Sequence, residues 1–220
     1  MEDIVEKLKK VSIFTQTSND VLQEVAKHAV TRHYAKNSVV VCEGDDTNSL
    51  YLILKGKVKV FLSDDNGKEV LINVQGENDY FGELALLDSE KRSAMVMTIE
   101  NSTFLVISQQ DFEKILETHP EIMPNIVVAL CRRIRSLTNN VRNLALLDVY
   151  GRVAKTLIDL SHEENGQMMV LEKITQQDIA NRVGASREMV SRILKDLSSG
   201  GYISYDKRHI VINNKLPAHY

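Results

Sequence analysis

Two stretches of this sequence carry charged side chains at spacings that could do chemistry. The first runs from Gly82-Glu83-Leu84-Ala85-Leu86 to Arg92-Ser93-Ala94. Gly82 frees the backbone after the aromatic pair Tyr80-Phe81, and Glu83 offers a carboxylate able to accept from sugar hydroxyls. The amides of Leu84 and Ala85 could face an anion, Arg92 could pair with a phosphate, and Ser93 adds a hydroxyl donor. On residue types alone, the set reads equally as an anion site or as a structural Glu83–Arg92 ion pair across a loop.

The second stretch, ITQQDIANRVGASREMVSRILKDLSSGGYI, begins at Ile174. Thr175 and Asp178 approximate a capping box, so a helix should start at Thr175. Ile179, Ala180 and Val183 form its apolar face, and Gly184 sits where a tight turn needs positive φ. Ser186 can cap a second helix with an inner face of Val190, Ile193, Leu194 and Leu197, ended by Gly200-Gly201. Helix, glycine turn, helix is the layout of a helix-turn-helix, whose second helix enters the major groove by its N-terminal end. That end carries Arg187, Glu188, Ser191 and Arg192. Arg can bond guanine O6 and N7 together and Glu can accept from cytosine N4, each good contact being worth ~1–3 kcal/mol of discrimination. Thr175, Gln176 and Gln177, at a helix N-terminus, are placed to hold a backbone phosphate. A solvated helix face would use the same residue types; the caps and the glycine turn favour DNA.

The elements that must position these residues are legible in outline. Residues from about 3 to 30 carry helical periodicity. From Val39 to Ile107 the chain is rich in β-branched and aromatic residues, broken by turn signals, and reads as an all-β roll or barrel. Val58, Val60 and Leu62 alternate with Lys57, Lys59 and Phe61 as in a half-buried strand, and Asn66-Gly67 predicts a hairpin turn with both residues at positive φ. From Pro120 to Leu147 one long helix is expected, with Val127, Leu130, Ile134, Leu137, Val141 and Leu144 at heptad spacing. Such a seam seeks the same helix of a second copy, or packs on the chain's own roll; the close flanking polar residues Arg132, Arg133, Arg135, Asn139 and Asn140 favour the dimer. Asp148-Val149-Tyr150-Gly151 reads as a hinge, His162 to Gln167 as a polar loop, and Tyr202-Ile203-Ser204 with His209 to Ile212 as a small hairpin around Asp206-Lys207-Arg208.

Bulk properties narrow the function classes. The 220 residues are 43% hydrophobic and 26% charged, ordinary for a globular protein of one large or two small domains. No apolar run is long enough to span a membrane, and MEDIVEKLKKVSIF lacks the pattern of a secretory signal, so the cytoplasm is the expected location. Cys42 and Cys131 stand far apart without a CxxC partner, against a disulfide framework, a structural zinc site or a cysteine-ligated cluster. The net charge is −3, yet residues 151–220 hold ten Lys/Arg against eight Asp/Glu, which turns that end toward an anionic partner. A cupin-like metal enzyme would need histidine ligands inside the roll, and none of His28, His33, His119, His162, His209 and His219 lies between Val39 and Ile107. A redox or haem sensor would need clustered cysteines or a haem ligand, and a ligand-free roll would not need the Glu83, Arg92 and Ser93 set.

The sequence resembles the CRP/FNR family of transcription regulators, and within it the cyclic-AMP receptor proteins. The likeness covers the whole chain and is densest at Gly82-Glu83-Leu84-Ala85-Leu86 with Arg92-Ser93-Ala94, at Asn143 to Val149 with Gly151-Arg152, and at Ser186-Arg187-Glu188 with Val190 and Arg192. It implies an α+β protein: a cyclic-nucleotide-binding β-roll over residues 1–119, a dimerisation helix over 120–147 and a winged helix-turn-helix over 148–220. It implies no enzyme activity and no metal. It implies that Glu83 binds the ribose hydroxyl, that Arg92 and Ser93 bind the cyclic phosphate, and that Gly82, Leu84, Ala85, Arg133 and Thr138 complete the site, with cAMP as effector. On the long helix, cyclic-AMP receptors usually show Thr-Ser or Thr-Thr where this chain has Leu137-Thr138, so another cyclic or dicyclic nucleotide is the alternative. Arg187, Glu188 and Arg192 match the family's guanine, cytosine and guanine readers, implying palindromic TGTGA-like half-sites. The resemblance also implies a homodimer on double-stranded DNA, touching RNA polymerase through the loop His162 to Gln167. The expected mechanism is a population shift, in which ligand favours one arrangement of the paired helices and the hinge near Asp148 passes it to the reading heads.

Overall fold

The computed structural model describes residues 2–217 except Lys68, Asn165, Glu172, Lys207 and Arg208. The chain divides into two compact units, Met1–Ile134 and Arg135–Tyr220.

The first unit opens with α1 (Glu2–Leu8), a 3-10 turn (Ser12–Phe14) and α2 (Asn19–Lys27). These pieces occupy the span expected to be helical. The roll then starts earlier than its composition indicated, with β1 (Ala29–Tyr34) already paired to β8 (Ser102–Ser108). Its partner supplies that pairing, since β1 itself is largely exposed and lacks the apolar run of a core strand. Between them lie β2 (Val39–Val41), β3 (Ser49–Lys55), β4 (Val58–Ser63), β5 (Glu69–Gln75), β6 (Tyr80–Phe81), the short α3 (Leu84–Asp88) and β7 (Met95–Thr98). Two four-stranded antiparallel sheets result, ordered β1-β8-β3-β6 and β2-β7-β4-β5. Val41, Ile53, Val58, Phe81, Val96 and Phe104 form a core drawn from both sheets. A second core, with Leu50, Leu52, Leu105 and Ile107, packs under α1, α2 and α4 (Gln109–Thr118).

Strand β4 departs from simple alternation. Val58 is buried and Val60 packs on the core as expected, but Leu62, near the strand end, is exposed. Phe61 is buried instead, with the Lys59 ammonium 4.1 Å from its ring centroid. The β4–β5 turn also differs: Gly67 has φ +75°, but Asn66 is not at positive φ. The Asn66 amide donates to the Asp64 side chain and Gly67 N donates to Asp64 O, so one glycine in the left-handed region suffices.

The long helix begins with a 3-10 turn (Pro120–Ile122) and continues as α5 (Met123–Leu146). The second unit then adds α6 (Val149–Leu160), β9 (Ser161–Glu164), β10 (Gln167–Val170), α7 (Gln176–Val183), α8 (Arg187–Ser199), β11 (Ile203–Asp206) and β12 (His209–Ile212). Within the expected polar loop at 162–167, residues 162–164 and Gln167 are strand instead: backbone pairing Ser161↔Val170 to Glu164↔Gln167 holds even the acidic residues in strand form, and Asn165 lies outside the described residues. The expected turn residues Lys207 and Arg208 lie outside the described residues. The expected hinge is a sharp helix-to-helix junction, where Asp148 caps α6 by accepting from Gly151 N at 2.7 Å. One sheet, β11-β12-β10-β9, and the buried faces of α6, α7 and α8 enclose a single core.

Candidate functional site

In the first unit, Gly82 turns the chain from β6 into α3 with φ +85°. A Cβ there would lie 2.6 Å from Arg92 Nη1 and 2.7 Å from Ser49 O, so only glycine lets these groups approach. Arg92 Nη1 donates to Gly82 O at 2.7 Å and Nη2 to Ser49 O at 2.9 Å, while its buried Nε has no hydrogen-bond partner among the described residues. The segment before β7 has no regular structure; it is held by Arg92 N donating to Asp45 O and Gly44 N donating to Arg92 O. Glu83 caps α3, and its carbonyl accepts from Leu86 N and Leu87 N.

Both charged residues are nearly inaccessible: Glu83 is 2% exposed and Arg92 4%. Charged side chains are rarely so buried without a partner or a task. Burial pushes the Glu83 carboxyl above its ordinary value, partly opposed by the Arg133 guanidinium, and burial likewise pulls Arg92 down. The Glu83–Arg92 ion pair considered from sequence does not form. Arg133 is the residue that bonds the Glu83 carboxylate, with its Nη2 directed at Tyr80 O (3.4 Å) and its guanidinium 5.4 Å from the Tyr80 ring centroid. Ile122 and Ile126 are buried in the roll core, and Ala129 and Leu130 pack against it. The face that they mark, continued by one helical step, brings Arg133 to Glu83.

Three of the other expected members fall where solvent reaches them, and one does not. Ser93 and Leu84 are exposed and Ala85 is buried; Thr138 is exposed on α5. Two contributors carry little sequence signal: the Ser49 carbonyl, and Tyr51, stacked on Phe81 with centroids 4.8 Å apart and 6.0 Å from the Arg92 guanidinium carbon. Of the heptad seam, Leu130 is partly buried against the roll, whereas Val127, Ile134, Leu137, Val141 and Leu144 are 41–64% exposed.

In the second unit, Thr175 and Asp178 form a full capping box. Asp178 N donates to Thr175 Oγ1 at 3.1 Å, and Thr175 N to Asp178 Oδ2 at 2.9 Å. Gly184 closes α7 at φ +67°, with Ala185 N bonding Ala180 O. Ser186 caps α8 by accepting from Met189 N at 3.2 Å. Val190, Ile193, Leu194 and Leu197 are buried, so the opposite face turns outward. Arg187, Glu188 and Arg192 are exposed and Ser191 half-exposed; Thr175 and Gln177 are exposed and Gln176 half-exposed at the start of α7. The Glu188 carboxyl is held below its ordinary value by its own amide and the Ser186 hydroxyl, which keeps it an acceptor.

A family model for the cyclic nucleotide-binding domain matches residues 31–119, and one for the Crp-like helix-turn-helix domain matches residues 151–215. The cAMP-activated global transcriptional regulator CRP of Haemophilus influenzae is 35% identical over 198 residues, 87% of this chain and 88% of that protein. The chain belongs to the CRP/FNR family of transcription regulators. The cAMP-activated regulator Vfr of Pseudomonas aeruginosa is 34% identical over 200 residues, covering 87% of this chain and 92% of Vfr. Among solved structures, the c-di-GMP responsive regulator CLP of Xanthomonas campestris aligns with a TM-score of 0.79 at 26% identity, over 90% of this chain and 100% of that one. CooA of Carboxydothermus hydrogenoformans shares the fold, with a TM-score of 0.75 at 20% identity over 90% of this chain and 88% of CooA. This CRP/FNR chain is therefore a cyclic-nucleotide-responsive, DNA-binding regulator of a family that is not enzymatic. None of its described helices is long and apolar enough to cross a membrane.

Proposed function

We propose that the protein is a homodimer that binds palindromic TGTGA-like DNA when cAMP occupies its roll. The observation that carries this reading is the buried pair of opposite charges beside Gly82, each held by its own partner and neither neutralising the other. Arg92 would take the cyclic phosphate, with Ser93 and the amides of Leu84 and Ala85 beside it, and Glu83 would take the ribose hydroxyls. Arg133 ties Glu83 to α5, so ribose binding is felt on that helix; Thr138 would reach the base. The roll, helix and reader would divide at 1–119, 120–147 and 148–220.

The exposed stripe Val127, Ile134, Leu137, Val141 and Leu144 supports pairing with the same helix of a second copy. Two copies of α8 would then present Arg187, Glu188 and Arg192 to guanine, cytosine and guanine in major grooves one turn apart, with Ser191 alongside. Thr175, Gln176, Gln177 and Ser186 would hold phosphates. A regulator acting on DNA would work in the cytoplasm, with the β9–β10 hairpin available to RNA polymerase by family analogy.

The cAMP-activated relatives support cAMP, while the c-di-GMP responsive neighbour, with the apolar Leu137, favours a dicyclic nucleotide as the second reading. Calorimetry with cAMP, cyclic GMP and cyclic di-GMP on the wild type and on Arg92→Ala separates them. cAMP should bind tightest and bind the variant at least tenfold more weakly; binding untouched by Arg92→Ala overturns the phosphate assignment.

A further inference from the structure

Helix α5 ends at Leu146, and only Leu147 separates it from the Asp148 cap of α6. Within this unit, Arg152 donates from Nη1 to Leu147 O at 2.8 Å and from Nε to Val183 O at 2.8 Å. The first carbonyl belongs to the C-terminal end of the long helix, and the second to the last residue of α7, just before the Gly184 turn. Both are acceptors at the negative pole of a helix, where a cation is favoured. A Cβ built on Gly184 would stand 3.9 Å from Leu144 Cδ2, so the last turn of α5 lies against the same turn that launches α8. Arg152 is itself anchored, its amide donating to Asp148 O at 3.0 Å while the Asp148 carboxylate accepts from Gly151 N. A planar guanidinium fixes the direction of both bonds at once; a lysine ammonium, a point donor on a flexible stem, would not.

We propose that Arg152 is a positioning residue for DNA recognition, a latch that makes the end of α5 and the turn preceding α8 move as one body. A change in tilt at the end of α5 is thereby delivered to the reading residues. Without the latch, α7 and α8 pivot about the Leu147–Asp148 junction, and each reading helix samples a range of angles. The inference rests on the proposal that paired copies read a palindrome.

The test compares the wild type, Arg152→Gln and Arg152→Lys on a TGTGA palindrome and on the same palindrome lengthened by two base pairs between the half-sites. Nonspecific DNA binding and cAMP binding are measured alongside. The wild type should prefer the correct spacing. Arg152→Gln should lose about tenfold of that preference, in the range of ordinary coupling energies, with cAMP affinity and nonspecific binding unchanged. Arg152→Lys, which keeps the charge without the fork, should fall between them, and it carries the test if Arg152→Gln does not fold. Equal losses on both spacings would mean that Arg152 is merely structural, and full preference in Arg152→Gln or Arg152→Lys would likewise overturn the latch. A wild type that binds no palindrome fails the DNA proposal first and takes the latch with it, whereas lack of cAMP binding leaves the spacing comparison intact.

Discussion

The two regions proposed to bind effector and DNA use the same residue types in opposite ways. Beside Gly82, an arginine and a glutamate are buried and held by their own chain: Arg92 by two backbone carbonyls, Glu83 by Arg133. At the tip of α8, Arg187, Arg192 and Glu188 stand in solvent on a helix whose inner face does all the packing. A small anionic effector must be enclosed to be recognised, so its site bears the desolvation of charge before any ligand arrives. DNA comes as a large outer surface, so its reader stays hydrated and is shaped in advance only by caps and a turn.

Replacing one arginine in each region gives the sharpest contrast. Arg92→Ala strips the half-buried carbonyls of Gly82 and Ser49 of this donor, and should destabilise the roll by about 2 kcal/mol while weakening effector binding. Denaturant unfolding of the ligand-free protein reads the first effect. Arg187→Ala should leave stability within about 0.5 kcal/mol, yet cost ~1–3 kcal/mol of specific DNA affinity. A folding defect in Arg187→Ala would erase the contrast.

Gly184→Ala should cost about 1 kcal/mol, because φ +67° disfavours any Cβ although the space there is open enough. Thermal melting of the variant checks it.

The smallest effect is a gain. The raised Glu83 carboxyl means that the folded state holds more protons than the unfolded one between the ordinary and the raised value. Its charge therefore weakens the fold as pH rises through that window, and the penalty is absent below the ordinary carboxylate range. Glu83→Gln should raise the melting temperature of the ligand-free protein by roughly 2–4 °C near neutral pH, with the gap closing in acid and effector affinity falling. A lower melting temperature at neutral pH would show that the bond with Arg133 outweighs burial.

Much of the reader was legible in sequence because its signals are local. A capping box spans four residues, a left-handed glycine one, and the apolar face of α8 repeats within two turns. The roll was legible as β structure, but not in detail. β1 has no apolar run and is a strand because β8 pairs with it; residues 162–164 look like part of a loop and are strand because they pair with β10, itself paired on its other side. Charge alone allows either an anion site or a Glu83–Arg92 ion pair, and the fold excludes the pair by bringing each residue to a different partner.

The family, the helix-turn-helix with its outward residues, and a long helix with one apolar heptad seam can be read from the order of residues alone. Packing in three dimensions added that Ile122, Ile126 and Ala129, with Leu130 of the seam, turn to the roll, that Ser49 and Gly82 hold Arg92, that Arg133 meets Glu83, and that Arg152 joins two helix ends. The physical reason is range. Caps and turns are settled by neighbours within one helical turn, whereas a buried charge is satisfied by whichever distant carbonyl or carboxylate the packed sheets and helices bring within 3 Å or so of it.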